Sequence, residues 1–198
     1  MESLTHKTKT YKPSFFTSAN PAFLLIILTL AIICGSFLWA KKLSGNESKT
    51  ETAILYLTRN VPRHLMQRNE LKRKQIAEAI EQTAYETSID PLMITTIVFR
   101  ESSFYKNSIG KDRPSKGLMQ VHGAAATGCD LTTVEGQIDC GSRWLLECYE
   151  LCNGDDLGAL TYYATGKICE AKSQPLKKKM KSRMRLYNKL KELFTNEI

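Results

Sequence analysis

No segment of this sequence repeats, which excludes solenoids and propellers built from stacked copies of one unit. Its three histidines and six cysteines show no recognised zinc-ligand spacing. The arrangement that comes nearest, His122 with Cys148 and Cys152, fits none, and no metal is expected. No charge interrupts the apolar run from Pro21 to Trp39, so that run can span a bilayer as a helix. No small-x-small cleavage site ends it in Ser36-Phe37-Leu38-Trp39-Ala40. This favours a retained signal-anchor over a removed signal peptide.

The chain then divides into four parts: a tail over 1–20, a transmembrane signal-anchor over 21–40, a linker over 41–69, and a folded domain over 70–198. Lys12 flanks the run on one side and Lys41-Lys42 on the other, so the positive-inside rule does not set the orientation. The linker carries one apolar patch, Ala53-Ile54-Leu55-Tyr56-Leu57, expected as a strand or a helical turn docking on the domain. About 150 residues remain for the folded unit, enough for a single core.

Helical signals dominate that domain. From Glu70 to Glu86, Leu71, Ile76, Ala79, Ile80 and Ala84 recur at near-helical spacing. Asp90-Pro91 reads as an N-cap with proline at the first helical position, opening a helix that reaches Glu101 after about three turns. Two more helices are expected over Arg143–Leu151 and Leu157–Ala164, parted by the turn Asn153-Gly154-Asp155. The net charge of +8 gathers in the last stretch, with Lys172, Lys177, Lys178, Lys179, Lys181, Arg183, Arg185, Lys189 and Lys191. Met180, Met184, Tyr187, Leu190 and Phe194 recur there at helical spacing, so the segment is an amphipathic helix. Its ordinary reading is a last helix packed on the domain with a solvated basic face. Its functional reading is attraction to anionic murein or membrane headgroups.

Glu101 is the residue with the clearest chemical promise. Beside Phe99, Phe104 and Met119 its carboxyl would be partly desolvated, and at a helix C-terminus it would meet the negative end of the macrodipole. Both effects disfavour the charged form, as a general acid near neutral pH requires. Taken alone, a glutamate after an apolar helix is more often a solvated end residue.

The wider pattern changes that balance. Glu101-Ser102, then Ser115 and Gly117-Leu118-Met119-Gln120, then Ala159-Leu160, Tyr163 and Gly166 together resemble the soluble lytic transglycosylase domain, a goose-lysozyme-like fold that cleaves peptidoglycan. The likeness covers about residues 70 to 190, and it is nearest to the secretion, conjugation and phage-associated branch. It implies a mainly α, lysozyme-like domain behind a single N-terminal transmembrane helix. It also implies that Glu101 is the one catalytic acid/base, with Ser102, Ser115, Gly117, Leu118, Met119, Gln120 and Tyr163 at the substrate: Gly117 to let backbone approach the sugar, Gln120 to hydrogen-bond it, and Tyr163 to bring a hydroxyl near the glutamate. Ala164 stands where the family has Asn, so one amide contact is missing or supplied by another group. Looser matches are Ile89-Asp90-Pro91-Leu92 and Gly141 with Trp144-Leu145.

That branch often carries a cysteine pair at the spacing of Cys129 and Cys140, which is the first pairing expected. One of Cys148 or Cys152 is expected to join Cys169, leaving one thiol free or bridging two chains. Cys34 lies inside the apolar run as an inert small hydrophobe. Cysteine usage of this kind fits an oxidising compartment.

Most glycosidases set two carboxylates across the scissile bond, and no second partner is evident here. Asp112, Asp130 and Asp139 are expected as turn or capping residues. With one carboxyl, the resemblance implies cleavage between N-acetylmuramic acid and N-acetylglucosamine by intramolecular attack of the muramyl 6-hydroxyl, giving a 1,6-anhydro end without a cofactor. The expected partners are peptidoglycan glycan strands, the membrane through residues 21–40, and envelope-machine or virion proteins. Such an enzyme faces the periplasm from the inner membrane, or sits in a virion membrane, and does not meet nucleic acid. Two rival readings stay open: a hydrolytic muramidase on the same fold, and a catalytically weak membrane protein that holds murein.

Overall fold

Helix α1 (Lys49–Thr58), α2 (Glu70–Thr87), α3 (Pro91–Ser102), α4 (Val134–Leu151), α5 (Asp156–Thr165) and α6 (Gln174–Thr195) make up a computed structural model that describes residues 47–59, 70–111 and 114–195. A short 3-10 turn at Gly123–Ala126 interrupts the long loop between α3 and α4. Among the described residues there is no strand, only isolated bridges pairing Ile109 with Lys116 and Lys116 with Val121. All of them belong to one unit, Glu47–Ile198. The tail over 1–20, the expected membrane helix over 21–40 and Asp112 lie outside the described residues. Among those described, no helix is long and apolar enough to cross a membrane.

The central element is α3. Seven consecutive residues, Leu92 to Val98, are buried, which is the pattern of a helix surrounded on every side. Two of the seven are threonines, and their hydroxyls are satisfied within the helix: Thr95 Oγ1 donates to the Pro91 carbonyl at 2.7 Å and Thr96 Oγ1 to that of Leu92 at 2.8 Å. The helix begins where its N-cap predicts, with Asp90 Oδ1 accepting from the Leu92 N–H at 2.8 Å. It ends at Ser103, whose backbone is left-handed at φ 51°.

Helix α6 packs along α3 and grips both of its ends. Tyr187 Oη donates to Asp90 Oδ2 at 2.7 Å, and Arg100 Nη2 donates to Ser182 Oγ at 3.0 Å. The contacts run in opposite order along the two helices, so they are antiparallel. Met180, Tyr187, Leu190 and Phe194 are buried on this face. Lys178, Lys179, Lys181, Arg185, Lys189 and Lys191 are exposed on the other.

Helix α2 packs mainly on α4, which in turn packs on α5. The stretch expected as a linker contributes α1 to this core. Ala53, Ile54 and Leu57 are buried, Tyr56 meets Phe194 edge to face at 6.2 Å, and the largely buried Glu51 pairs with Arg73 at 3.2 Å. Helix α4 starts nine residues before the expected Arg143. Thr133 caps it by accepting from the Gly136 N–H at 3.0 Å, and two glycines, Gly136 and Gly141, mask the helical period in the sequence.

Two disulfides brace this part of the fold, Cys129–Cys140 at the start of α4 and Cys152–Cys169 across α5. Closing loops of this length is worth about 3 kcal/mol each on the chain-entropy view. The remaining described cysteine, Cys148, is free and fully buried, so it is closed to a second chain. Its thiol is pushed up to about 12, chiefly by burial and then by Glu147.

Candidate active site

The last turn of α3 delivers Glu101 to the edge of the core, with its side chain 18% exposed. Beside it, Phe104 is buried against Phe99, ring centres 5.9 Å apart. The group that meets the carboxylate directly is cationic. Arg183 Nη2, from α6, donates to Glu101 Oε1, and the arginine is only 2% exposed. In the sequence Arg183 falls among the solvated basic residues of the tail, yet the fold buries it. Its other terminal nitrogen, Nη1, is buried without a hydrogen-bond partner among the described residues. An unpaired buried donor costs about 1–3 kcal/mol, more when charged. Arg100 adds a second positive charge nearby, its pKa lowered by burial and then by Arg183.

The segment from Ser115 to Gln120 folds into a tight turn within the long loop between α3 and α4. Gly117 has φ +79°, and a Cβ there would lie 2.6 Å from the Gln137 side-chain amide carbon. The glycine thus makes room for Gln137 of α4, whose Oε1 accepts from the Leu118 N–H at 2.9 Å while its Nε2 donates to the Leu131 carbonyl at 2.8 Å. Leu118 and Met119 are fully buried. Met119 packs where Gly141 leaves space, since a Cβ at 141 would come within 2.5 Å of the Met119 side chain. Gln120 Nε2 donates to the carbonyls of Gly117 at 2.8 Å and Ser108 at 3.1 Å. That amide fastens the loop, and its carbonyl oxygen is the group it can offer outward. Buried Ser115 places Oγ 2.9 Å from His122 Nδ1. Ser102 Oγ donates back to the Val98 carbonyl at 3.0 Å, within its own helix.

Tyr163 joins the two motifs. Its hydroxyl donates to the Met119 carbonyl at 2.7 Å. The ring is half-exposed, but the hydroxyl end is desolvated, and burial followed by the Glu101 carboxylate pushes its pKa well above the usual tyrosine value. A cleft of about 440 Å³ opens over this region, lined among others by Gln120, His122, Trp144, Tyr163 and Ala164. Trp144 lies 5.9 Å from Tyr162. Glu101 is not part of that lining, which comes within its electrostatic reach at Tyr163. At Ala164 the cleft wall is a methyl group, with no amide to offer.

The structure therefore anchors Tyr163 on the motif turn within electrostatic reach of Glu101, sets Leu118 and Met119 in the core, and turns Ser102 inward. Asp130 accepts from Thr132 Oγ1 and Thr133 Oγ1 at 2.6 and 3.1 Å, a turn role that lowers its pKa. Asp139 lies inside α4, away from any turn or cap, and pairs with Arg143 at 2.8 Å. Sequence reasoning missed Gln137 and Arg183. Both carry the same signal, a polar residue in register with an apolar face: Gln137 among Val134, Ile138 and Leu145, and Arg183 between Met180 and Tyr187.

Comparison with known proteins agrees with this arrangement. The family model described as Transglycosylase SLT domain matches residues 78–185, a span that holds α3, the motif turn, α5 and Arg183. No curated protein and no solved structure matches the chain. With more than half of its length matched, the chain belongs to the transglycosylase SLT family, the lytic transglycosylases that act as glycosidic-bond lyases on peptidoglycan.

Proposed function

We propose that Glu101 is the single acid/base of a membrane-anchored lytic transglycosylase that opens the cell wall locally. Its carboxyl protonates the oxygen between N-acetylmuramic acid and N-acetylglucosamine as the C1–O bond breaks. The substrate's N-acetyl group stabilises the developing oxocarbenium charge. Glu101, now a carboxylate, takes the proton of the muramyl 6-hydroxyl as that oxygen bonds to C1. The hydroxyl is tethered, so its effective molarity exceeds that of any free nucleophile. The product ends in 1,6-anhydromuramic acid.

The observation that carries this reading is the partly exposed carboxylate of Glu101 at the end of α3, within electrostatic reach of Tyr163, whose hydroxyl is anchored on the Met119 carbonyl of the motif turn. Tyr163 also lines the cleft of about 440 Å³, so the carboxylate and the cleft share one neighbour. The two disulfides fit a periplasmic domain. The uncharged run over 21–40 fits an inner-membrane anchor, or a virion membrane in a phage. A small, tethered enzyme suits local opening for a secretion or conjugation machine, or for phage entry or exit.

Product chemistry tests the reading. The full chain is incubated with purified peptidoglycan and the released muropeptides are weighed by mass spectrometry. Anhydro ends are expected. Reducing ends would make the enzyme a hydrolytic muramidase.

A further inference from the structure

Arg183 is the charged residue on the buried face of α6, in line with Met180, Tyr187, Leu190 and Phe194. A guanidinium in that position is costly unless something needs it there. It lies 82 residues from Glu101 in sequence, so the pair exists only in the folded protein. Its place is set from both sides, by Arg100 on Ser182 and by Tyr187 on Asp90. We propose that Arg183 is a positioning residue for Glu101, holding the carboxylate in one orientation and stabilising the anion that proton donation leaves behind. This rests on Glu101 being the acid/base.

The form of the contact supports a working pair over a purely structural one. Arginine–carboxylate pairs frequently engage two nitrogens in a fork. Here one nitrogen reaches one oxygen, and Nη1 stays without a partner among the described residues. In the resting pair Glu101 accepts from Arg183, whereas as general acid it must donate to the glycosidic oxygen. A single contact lets the glutamate change partner without dismantling a fork. When the proton has left, the carboxylate again faces a fixed cation, until it takes the proton of the 6-hydroxyl. Arg183 keeps its own protons throughout. The ionisable groups beside Glu101 are Arg183 from α6 and Tyr163 from α5, with Cys148 of α4 next to the tyrosine and Arg100 next to Arg183. Tyr163 and Cys148 stay neutral at ordinary pH, so Arg183 is the charge that the carboxylate meets first.

The test compares full-chain wild type, Arg183→Met, Arg183→Lys and Glu101→Gln, each checked for helical content and thermal unfolding. Release of soluble muropeptides is followed against substrate concentration and pH. In Arg183→Met the turnover is expected to fall by about a hundredfold, the scale of a small misplacement, with half-saturation within about twofold of wild type. The alkaline limb of the rate is expected to move to higher pH, because the charge favouring the ionised carboxylate is gone. Arg183→Lys should keep the limb near its wild-type place, and it carries the test if Arg183→Met does not fold. Wild-type turnover and limb position in Arg183→Met would overturn the proposal. So would a loss without a limb shift that tracks lost thermal stability, since packing alone does that. Activity in Glu101→Gln would instead overturn the acid/base reading beneath it.

Discussion

A Cβ on residue 117 would stand 2.6 Å from the side-chain amide carbon of Gln137, so the glycine of the motif turn is the space into which α4 inserts its fastening amide. Gly117→Ala must displace that amide and hold an L-residue at φ +79°. The backbone strain alone costs about 1–3 kcal/mol. Gln137→Ala keeps the glycine but strips the buried Leu118 N–H of its acceptor, again about 1–3 kcal/mol. Urea unfolding of both variants should show lowered stability. Wild-type stability in Gln137→Ala would mean that the turn holds itself.

Tyr163→Phe removes the hydroxyl that donates to Met119 at 2.7 Å and leaves the ring against the cleft. The expected loss in muropeptide release is two- to tenfold, equal to about 0.5–1.5 kcal/mol for one hydrogen bond. A drop as large as that of a glutamate variant would give the tyrosine a direct part in proton transfer.

The cysteines separate by reactivity. Cys148 is buried and its thiol is held near 12, so a thiol reagent at neutral pH should leave Cys148 unmodified in the native protein and label it after unfolding without reductant. Replacing both Cys152 and Cys169 by Ser should cost about 3 kcal/mol, read as a lower melting temperature. Labelling of native Cys148 would show that the core around it opens.

Alkaline pH should unfold the domain. Tyr187 and Tyr149 are both raised, chiefly by burial and then by hydrogen bonds to Asp90 and Asp156. The folded value of each lies above the unfolded one, so their contribution is fully present below about pH 10 and is lost as pH rises through the folded value. Denaturant midpoints measured on either side of about pH 10 should fall, and fall less in Tyr187→Phe.

What was legible in the sequence was local. The Asp90-Pro91 cap fixed the start of α3 because capping depends on neighbouring residues, and seven buried positions in a row followed from its apolar content. Cys129 and Cys140 paired as the resemblance implied. The apolar patch at 53–57 was visible, but its place in the core was not, because the partners that meet it there, Arg73 for Glu51 and Phe194 for Tyr56, come from the distant helices α2 and α6. Gly117 was found, but the room it makes for Gln137 was not legible, since that amide arrives from α4. Arg183 was hidden by its basic neighbours. Charge counting groups it with Lys181 and Arg185, and only the spacing from Met180 to Tyr187 sets it on the inner face.

The most direct test of a single acid/base is Glu101→Gln in the full chain, with muropeptide release from purified peptidoglycan read by mass spectrometry beside a pelleting assay for binding. The mutant is expected to bind peptidoglycan and to release no anhydro-ended product. Release at the wild-type rate would contradict the assignment and move the chemistry to another residue.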